Sequence, residues 1–343
     1  MMKKIVVPLL FLFGCFELSA QGKEGFQVLI THENDFLTIA NKDENYTGGL
    51  KLETLFKEIK GKGLPFLKYR GENTLTISRI GMGATAYTPQ DLGSEAVVVG
   101  DRPYASLVFV NFGANSYHLV RNEMLQSEVL LGIMGTSLPG NAQAYLHENH
   151  WFGSERPVPK GWNNQIGYKG SFIINYNTRF QKALFSKNSV NSDFQWLAVH
   201  GVGKVDLGNY MIHAQAGLKL NLLNWNSTLL QDQYPNLETL TRNETTTKKI
   251  RCNLFAEPTV RFVGYNATLE GLLFKDNSIY KIDHSDVKRM LFEINAGFNL
   301  TLYDVFYLRY SHSGRSREFE GGKSFHNWGA VTLGFSPQRW HSK

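Results

Sequence analysis

Three short clusters hold the side chains best suited to hydrolytic chemistry. They read His32-Glu33-Asn34-Asp35-Phe36, Asp43-Glu44-Asn45-Tyr46-Thr47-Gly48-Gly49 and Gln143-Ala144-Tyr145-Leu146-His147-Glu148. Carboxylate, amide and hydroxyl oxygens of the kind at Asn34, Asp35 and Thr47 suit a hard cation. An imidazole such as His147 takes a proton from water near neutral pH. A polar surface loop and a solvated loop histidine are the plainer readings of the same residues. His147 and His150 stand three apart, whereas the helical zinc motif needs a pair four apart. Neither a Gly-x-Ser-x-Gly elbow nor a phosphate loop nor a nucleic-acid motif occurs in the chain.

The elements that must position these clusters announce themselves by alternation. In 210–222, Tyr210, Ile212, Ala214, Ala216, Leu218, Leu220 and Leu222 oppose Met211, His213, Gln215, Gly217, Lys219 and Asn221. In 290–302, Met290, Phe292, Ile294, Ala296 and Phe298 oppose Glu293, Asn295, Gly297 and Asn299. In 165–180, Ile166, Tyr168, Phe172, Ile174, Tyr176 and Phe180 oppose Gln165, Lys169, Ser171, Asn175, Asn177 and Arg179. Period two places each pair of sets on opposite faces of a sheet. A strand of an ordinary sandwich runs about five or six residues, whereas a tilted strand needs about 9–11 to cross a bilayer. These runs therefore predict a transmembrane antiparallel β-barrel. Twelve strands are expected, at roughly 25–34, 46–56, 73–84, 104–115, 123–135, 163–181, 193–206, 209–223, 251–264, 286–303, 305–316 and 325–336. Aromatics near strand ends (Tyr168, Phe180, Tyr303, Trp328) are expected at the membrane interfaces.

Residues 1–20 read as a signal peptide: Lys3 and Lys4, an apolar run from Ile5 to Phe16, then Leu18-Ser19-Ala20. Leu12-Phe13-Gly14-Cys15 offers an alternative lipobox reading. Residues 21–343 read as one barrel domain. Once the signal is removed only Cys252 remains, so no internal disulfide forms. The net charge of +6 suits an anionic partner such as lipid phosphate, but does not single one out. Up-and-down strand order puts 35–45, 85–103 and 136–162 on one rim. The third is too long for a hairpin, and Pro139 opens a short helix there. On that helix Gln143 and His147 share a face, while Ala142, Tyr145 and Leu146 turn elsewhere, toward the barrel or the lipid.

Taken in order, the clusters resemble the lipid A 3′-O-deacylase (LpxR-type) family of outer-membrane enzymes. The matching pieces are Asn34-Asp35, Tyr46-Thr47-x-Gly49, Tyr87-Thr88-Pro89 with Gly100-Asp101-Arg102, and Gln143-x-x-x-His147. Gly153-Ser154-Glu155, Trp162-x-x-Gln165 and Tyr265-Asn266-x-Thr268-Leu269-x-Gly271 continue the match over nearly the whole mature chain. The resemblance implies a twelve-stranded barrel with the site between the wall and a helix of an outer loop. It also implies Ca²⁺-dependent ester hydrolysis like that of secreted phospholipase A2, acting on lipid A of the outer leaflet. His147 would deprotonate water, and the metal would stabilise the oxyanion. Asn34, Asp35 and Thr47 would organise the metal and oxyanion region. Gln143 would place His147 or the water, and Glu155 would orient the imidazole.

One departure matters. The family pattern has a lysine in the second outer loop, but 90–100 holds no Lys or Arg. The expectation is a less phosphorylated lipid A, or compensation by Arg102 or Lys160. Two other functions fit the scaffold: a phospholipase, and a non-enzymatic barrel such as a narrow channel or adhesin.

Overall fold

The computed structural model describes residues 26–38, 45–57, 68–149, 157–188, 194–226, 249–274 and 276–336. The expected signal peptide, Asp43, Glu44, His150, Glu155 and most of 224–250 lie outside them. Twelve strands close into one antiparallel barrel in chain order, β1 pairing with β12. They are β1 (Phe26–Asn34), β2 (Asn45–Lys57), β3 (Thr74–Thr88), β4 (Ala105–His118), β5 (Glu123–Met134) and β6 (Ser171–Asn188). The rest are β7 (Phe194–Gly208), β8 (Met211–Trp225), β9 (Ile250–Asn266), β10 (Met290–Leu302), β11 (Phe306–Ser316) and β12 (Phe325–Phe335). Among the described residues no helix is long and apolar enough to cross a membrane.

Alternation becomes two surfaces. On β8, Leu218 and Leu222 are exposed while His213, Gln215, Lys219 and Asn221 are buried. On β10, Met290, Phe292 and Phe298 are exposed against buried Glu293, Asn299 and Thr301. The apolar outside and polar inside are those of a barrel whose outer wall meets hydrocarbon.

The lumen is filled rather than open. Arg79 pairs with Glu128, and Lys51 lies 2.9 Å from Glu53. Arg179 donates two 2.7 Å hydrogen bonds to Glu257. Arg261 and Arg315 converge on Glu293, Arg261 at 2.9 Å. Buried charge is tolerated only when paired in this way.

Two expectations need correction. The sixth strand begins at Ser171, eight residues later than the alternation suggested. Residues Gly161–Asn164 form a 3-10 turn, and Gly167 and Gly170 take φ of 70° and 95°. Those left-handed conformations break a strand and favour glycine. Ile166 is consequently packed inside the outer loop and fully buried, not turned to lipid. Trp328 is the second case. It faces the lumen, stacked on His326 at 5.3 Å and edge-on to Tyr46 at 5.8 Å. Arg315 lies 5.1 Å over its ring, an attraction that an interface position would not supply. Tyr303, by contrast, is exposed at the turn after β10, as expected of an interface aromatic.

The two faces of β8 give a direct test. Leu218→Arg puts a cation on the lipid face near mid-strand, which costs about 2–4 kcal/mol at a bilayer midplane. Lys219→Met removes a lumen cation and leaves Glu257 paired with Arg179, so it should cost less. The folded, heat-modifiable fraction after refolding into lipid vesicles should fall in the order wild type, Lys219→Met, Leu218→Arg.

Candidate active site between the wall and an outer-loop helix

The third outer loop folds as the sequence predicts, into helix α1 (Ser137–Glu148). Pro139 sits in its first turn, where no backbone donor is needed. Pro139, Gly140, Gln143 and His147 form its buried face. Of the three residues left open above, Ala142 and Tyr145 are exposed on the side away from the wall, whereas Leu146 is half-buried. The buried face packs on the outer ends of β3 and β4.

A strap formed by residues 157–166 holds that helix. At its start, the Pro157 carbonyl lies 2.9 Å from His147 Nδ1. A carbonyl has no proton, so Nδ1 carries the hydrogen and Nε2 is the basic nitrogen. In the middle, Trp162 Nε1 donates to Gln143 Oε1 at 3.1 Å. At the end, Gln165 accepts from Ser106 Oγ at 2.7 Å and reaches the Thr136 carbonyl at 3.4 Å. The strap is itself tied to the second outer loop. Lys160 N donates to the Leu92 carbonyl at 3.0 Å, and Trp162 packs tilted on Tyr104 at 4.9 Å. Glu155, assigned an orienting role above, lies outside the described residues.

The wall supplies the facing groups. In β2 the register shifts between Tyr46 and Gly48. Such a bulge re-aims side chains. Tyr46 turns inward and donates to Glu33 at 2.5 Å, while Thr47 meets Thr88 at 2.5 Å, hydroxyl to hydroxyl. Glu33 is thereby a lumen acceptor of β1 rather than part of an oxygen cluster on the rim. Thr88 shares the outward face of β3 with Met82 and Ala84, yet it is fully buried. Asn34 ends β1 close to Gly48, where a Cβ would lie 3.1 Å from Asn34 Nδ2. Asp35 opens the 3-10 turn Asp35–Leu37 and is buried, and Thr38 donates back to its carbonyl through Oγ1 at 2.8 Å. The structure therefore brings Asn34, Asp35 and Thr47 to the outer ends of neighbouring strands β1 and β2. It sets Gln143 and His147 on a helix against the adjacent β3 and β4. Thr88 and Trp162 belong to this region too. Both fall in motifs quoted above, but spacing alone assigned them no role.

Among the described residues, no three His, Cys, Asp or Glu side chains gather closely enough to hold a metal ion. The group at Asn34, Asp35 and Thr47 offers amide, carboxylate and hydroxyl oxygens and no imidazole or thiolate. Its chemistry fits a hard cation completed by carbonyl or water oxygens, and not zinc.

Arg102 does not face a headgroup. It is buried, donating to Glu318 at 2.6 Å and Thr268 at 2.8 Å, with Tyr87 4.4 Å beneath it. This pins the second outer loop to the last two. Burial alone would raise the Glu318 carboxyl, but Arg102 and Arg315 outweigh it and hold it well below the usual carboxylate range. Lys160 is exposed on the strap.

Two outcomes follow. Gln165→Ala removes the tie at the Thr136 end and should cost about 1–3 kcal/mol, with faster amide exchange across 136–142. Stability from the Arg102–Glu318 pair is present above the ordinary glutamate pKa and lost only as pH falls through the lowered folded value. The melting difference between wild type and Arg102→Leu should therefore hold from pH 7 to pH 5 and shrink at lower pH.

A family model described as outer membrane protein LpxR matches residues 6–336. The solved structure of LpxR from Salmonella typhimurium is similar, with a TM-score of 0.67 at 15% identity, covering 90% of this chain and 99% of that one. The β domain of the Bordetella autotransporter BrkA gives 0.45 at 9% identity, covering 92% and 99%. A search of curated protein sequences found no match. With the family model spanning the barrel and every described loop, the chain belongs to the LpxR family of outer-membrane proteins, and its place is the bacterial outer membrane.

Proposed function

We propose that this protein is a lipid A deacylase of the outer membrane, hydrolysing the ester that carries the 3′-linked acyloxyacyl group. The observation that carries this reading is the His147 imidazole. It is buried on the inner face of α1, with Nδ1 held by the Pro157 carbonyl, which makes Nε2 the nitrogen able to accept a proton. A general base needs that tautomer and that fixed orientation. The helix packs on the outer ends of β3 and β4, at the rim that would meet the outer leaflet, so a lipid would reach it without entering the lumen.

The reaction then balances simply. Water adds to the ester carbonyl carbon while its proton passes to His147 Nε2. Collapse breaks the ester C–O bond and returns the proton to the leaving hydroxyl, releasing a carboxylic acid and an alcohol. Asn34, Asp35 and Thr47 would hold Ca²⁺, with Thr88 fixing the Thr47 hydroxyl. Calcium, when bound, supplies a fixed positive charge where the oxyanion develops. The filled lumen argues against a channel. With Arg102 buried, Lys160 is the described cation on the strap beside the helix, so a lipid A with fewer phosphates is the expected substrate.

The test is mass spectrometry of lipid A after incubation with the purified barrel. Loss of one acyloxyacyl unit is expected from wild type, and His147→Ala should lose about 10²–10⁴ in rate while staying heat-modifiable. EGTA should suppress the wild type and added Ca²⁺ restore it, whereas Asp35→Ala should stay inactive at the same Ca²⁺. Full activity in excess EGTA would sink the calcium role. Release of fatty acid from phospholipid but not lipid A would favour the phospholipase reading.

A further inference from the structure

Gln143 has two ends, and the structure uses only one of them. Its Oε1 accepts the indole N–H of Trp162 at 3.1 Å. Because the indole can only donate, this bond decides which end of the amide is oxygen. The Nε2 end is buried and has no hydrogen-bond partner among the described residues. A buried amide N–H₂ without a partner is rare in a folded protein and costs roughly 1–3 kcal/mol. Gln143 lies one turn before His147 on the same buried face of α1.

We propose that Trp162 is a positioning residue that aims the Gln143 amide, and that Gln143 Nε2 donates to the ester carbonyl oxygen as negative charge builds on it. This rests on the hydrolase reading above and assigns Gln143 a different task there. It is a donor to the reacting oxygen, not an aid to the imidazole. Pre-aimed donors act most strongly where charge appears, because nothing has to reorganise during the reaction. The helix is shaped for the indole. A Cβ at Gly140 would lie 2.7 Å from two ring carbons of Trp162, so glycine is required for the ring to lie flat against the first turn. Tyr104 packs on the indole ring as well, tilted at 4.9 Å, so two elements hold the indole on the helix.

The experiment compares kcat and KM for lipid A deacylation in purified, heat-modifiable barrels. Trp162→Phe keeps the ring and loses the N–H, and kcat should fall roughly three- to tenfold with KM little changed. Gln143→Glu still accepts from Trp162 but has no proton to give, and should fall as far as Gln143→Ala, about 10²-fold. In the Gln143→Ala background, Trp162→Phe should cost nothing further, an outcome that a merely structural tryptophan would not produce. Gly140→Ala should displace the indole and reproduce the loss in kcat. If Trp162→Phe does not fold, Gln143→Glu decides alone. Wild-type kcat in folded Gln143→Glu or in folded Trp162→Phe overturns the inference, as does an equal Trp162→Phe loss with and without Gln143. A wild-type barrel that releases no acyl chain from lipid A overturns the hydrolase reading and the inference with it. A wild type that hydrolyses beside an unimpaired Trp162→Phe overturns the inference alone.

Discussion

Everything in this molecule depends on closing the sheet. In hydrocarbon each unpaired backbone amide costs several kcal/mol, so a strand can lie there only with a neighbour on both sides. β1 and β12 meet this demand by pairing from Val28–Phe335 to Asn34–Gly329. Closure also traps the inward side chains in a narrow tube. Arg79, Arg179, Arg261 and Arg315 are largely cut off from bulk water there and Lys51 partly so, and each finds a carboxylate instead. The wall becomes stiff and its interior is occupied. That leaves the rim and the outside of the wall as surfaces on which a site can be built.

The rim solves the problem with a second layer. A twelve-residue helix alone in water is marginal, and α1 gains its fixed position from contacts at both ends and in the middle. The strap touches Thr136, Gly140, Gln143 and His147 in turn along its length. It is anchored in its turn to the second outer loop, and that loop is pinned by the buried Arg102–Glu318 pair. A chain of polar contacts thus runs from the lumen mouth to the imidazole. Sites mounted on rigid elements hold their geometry better than sites on free loops, and here a loop is made rigid by being tied to the barrel.

The strands were legible because a bilayer enforces one apolar face over the whole of each long strand, as on β8 and β10. The same rule misled at 163–170. There Ile166 and Tyr168 alternate with Gln165 and Lys169, but the burial of Ile166 comes from the outer loop and not from lipid. Period two records that a side chain is covered, and not by what. Trp328 shows the same limit, since an aromatic near a strand end suits an interface and a lumen cluster equally well. The helix was legible from Pro139 and from the spacing of Gln143 and His147. The bulge at Tyr46–Gly48 was not. No local pattern marks it, and it inverts the alternation, so that Tyr46 and not Thr47 continues the lumen-facing set of Lys51 and Glu53.

Trp162 and Arg102 carry the deeper lesson. Both stood in motifs visible in the chain, and their roles are long-range: Trp162 reaches back nineteen residues to Gln143, and Arg102 forward to Glu318. A cation on an outer loop of a lipid-facing protein invites a headgroup assignment, yet Arg102 is spent on holding loops together. The imidazole is a parallel case. Its Nδ1 is held by the Pro157 carbonyl, ten residues on, and the strap that carries this carbonyl is itself bonded to the second outer loop through Lys160 N and the Leu92 carbonyl. The tautomer of a residue on one helix is thus set by main chain that only the folded loops bring to it.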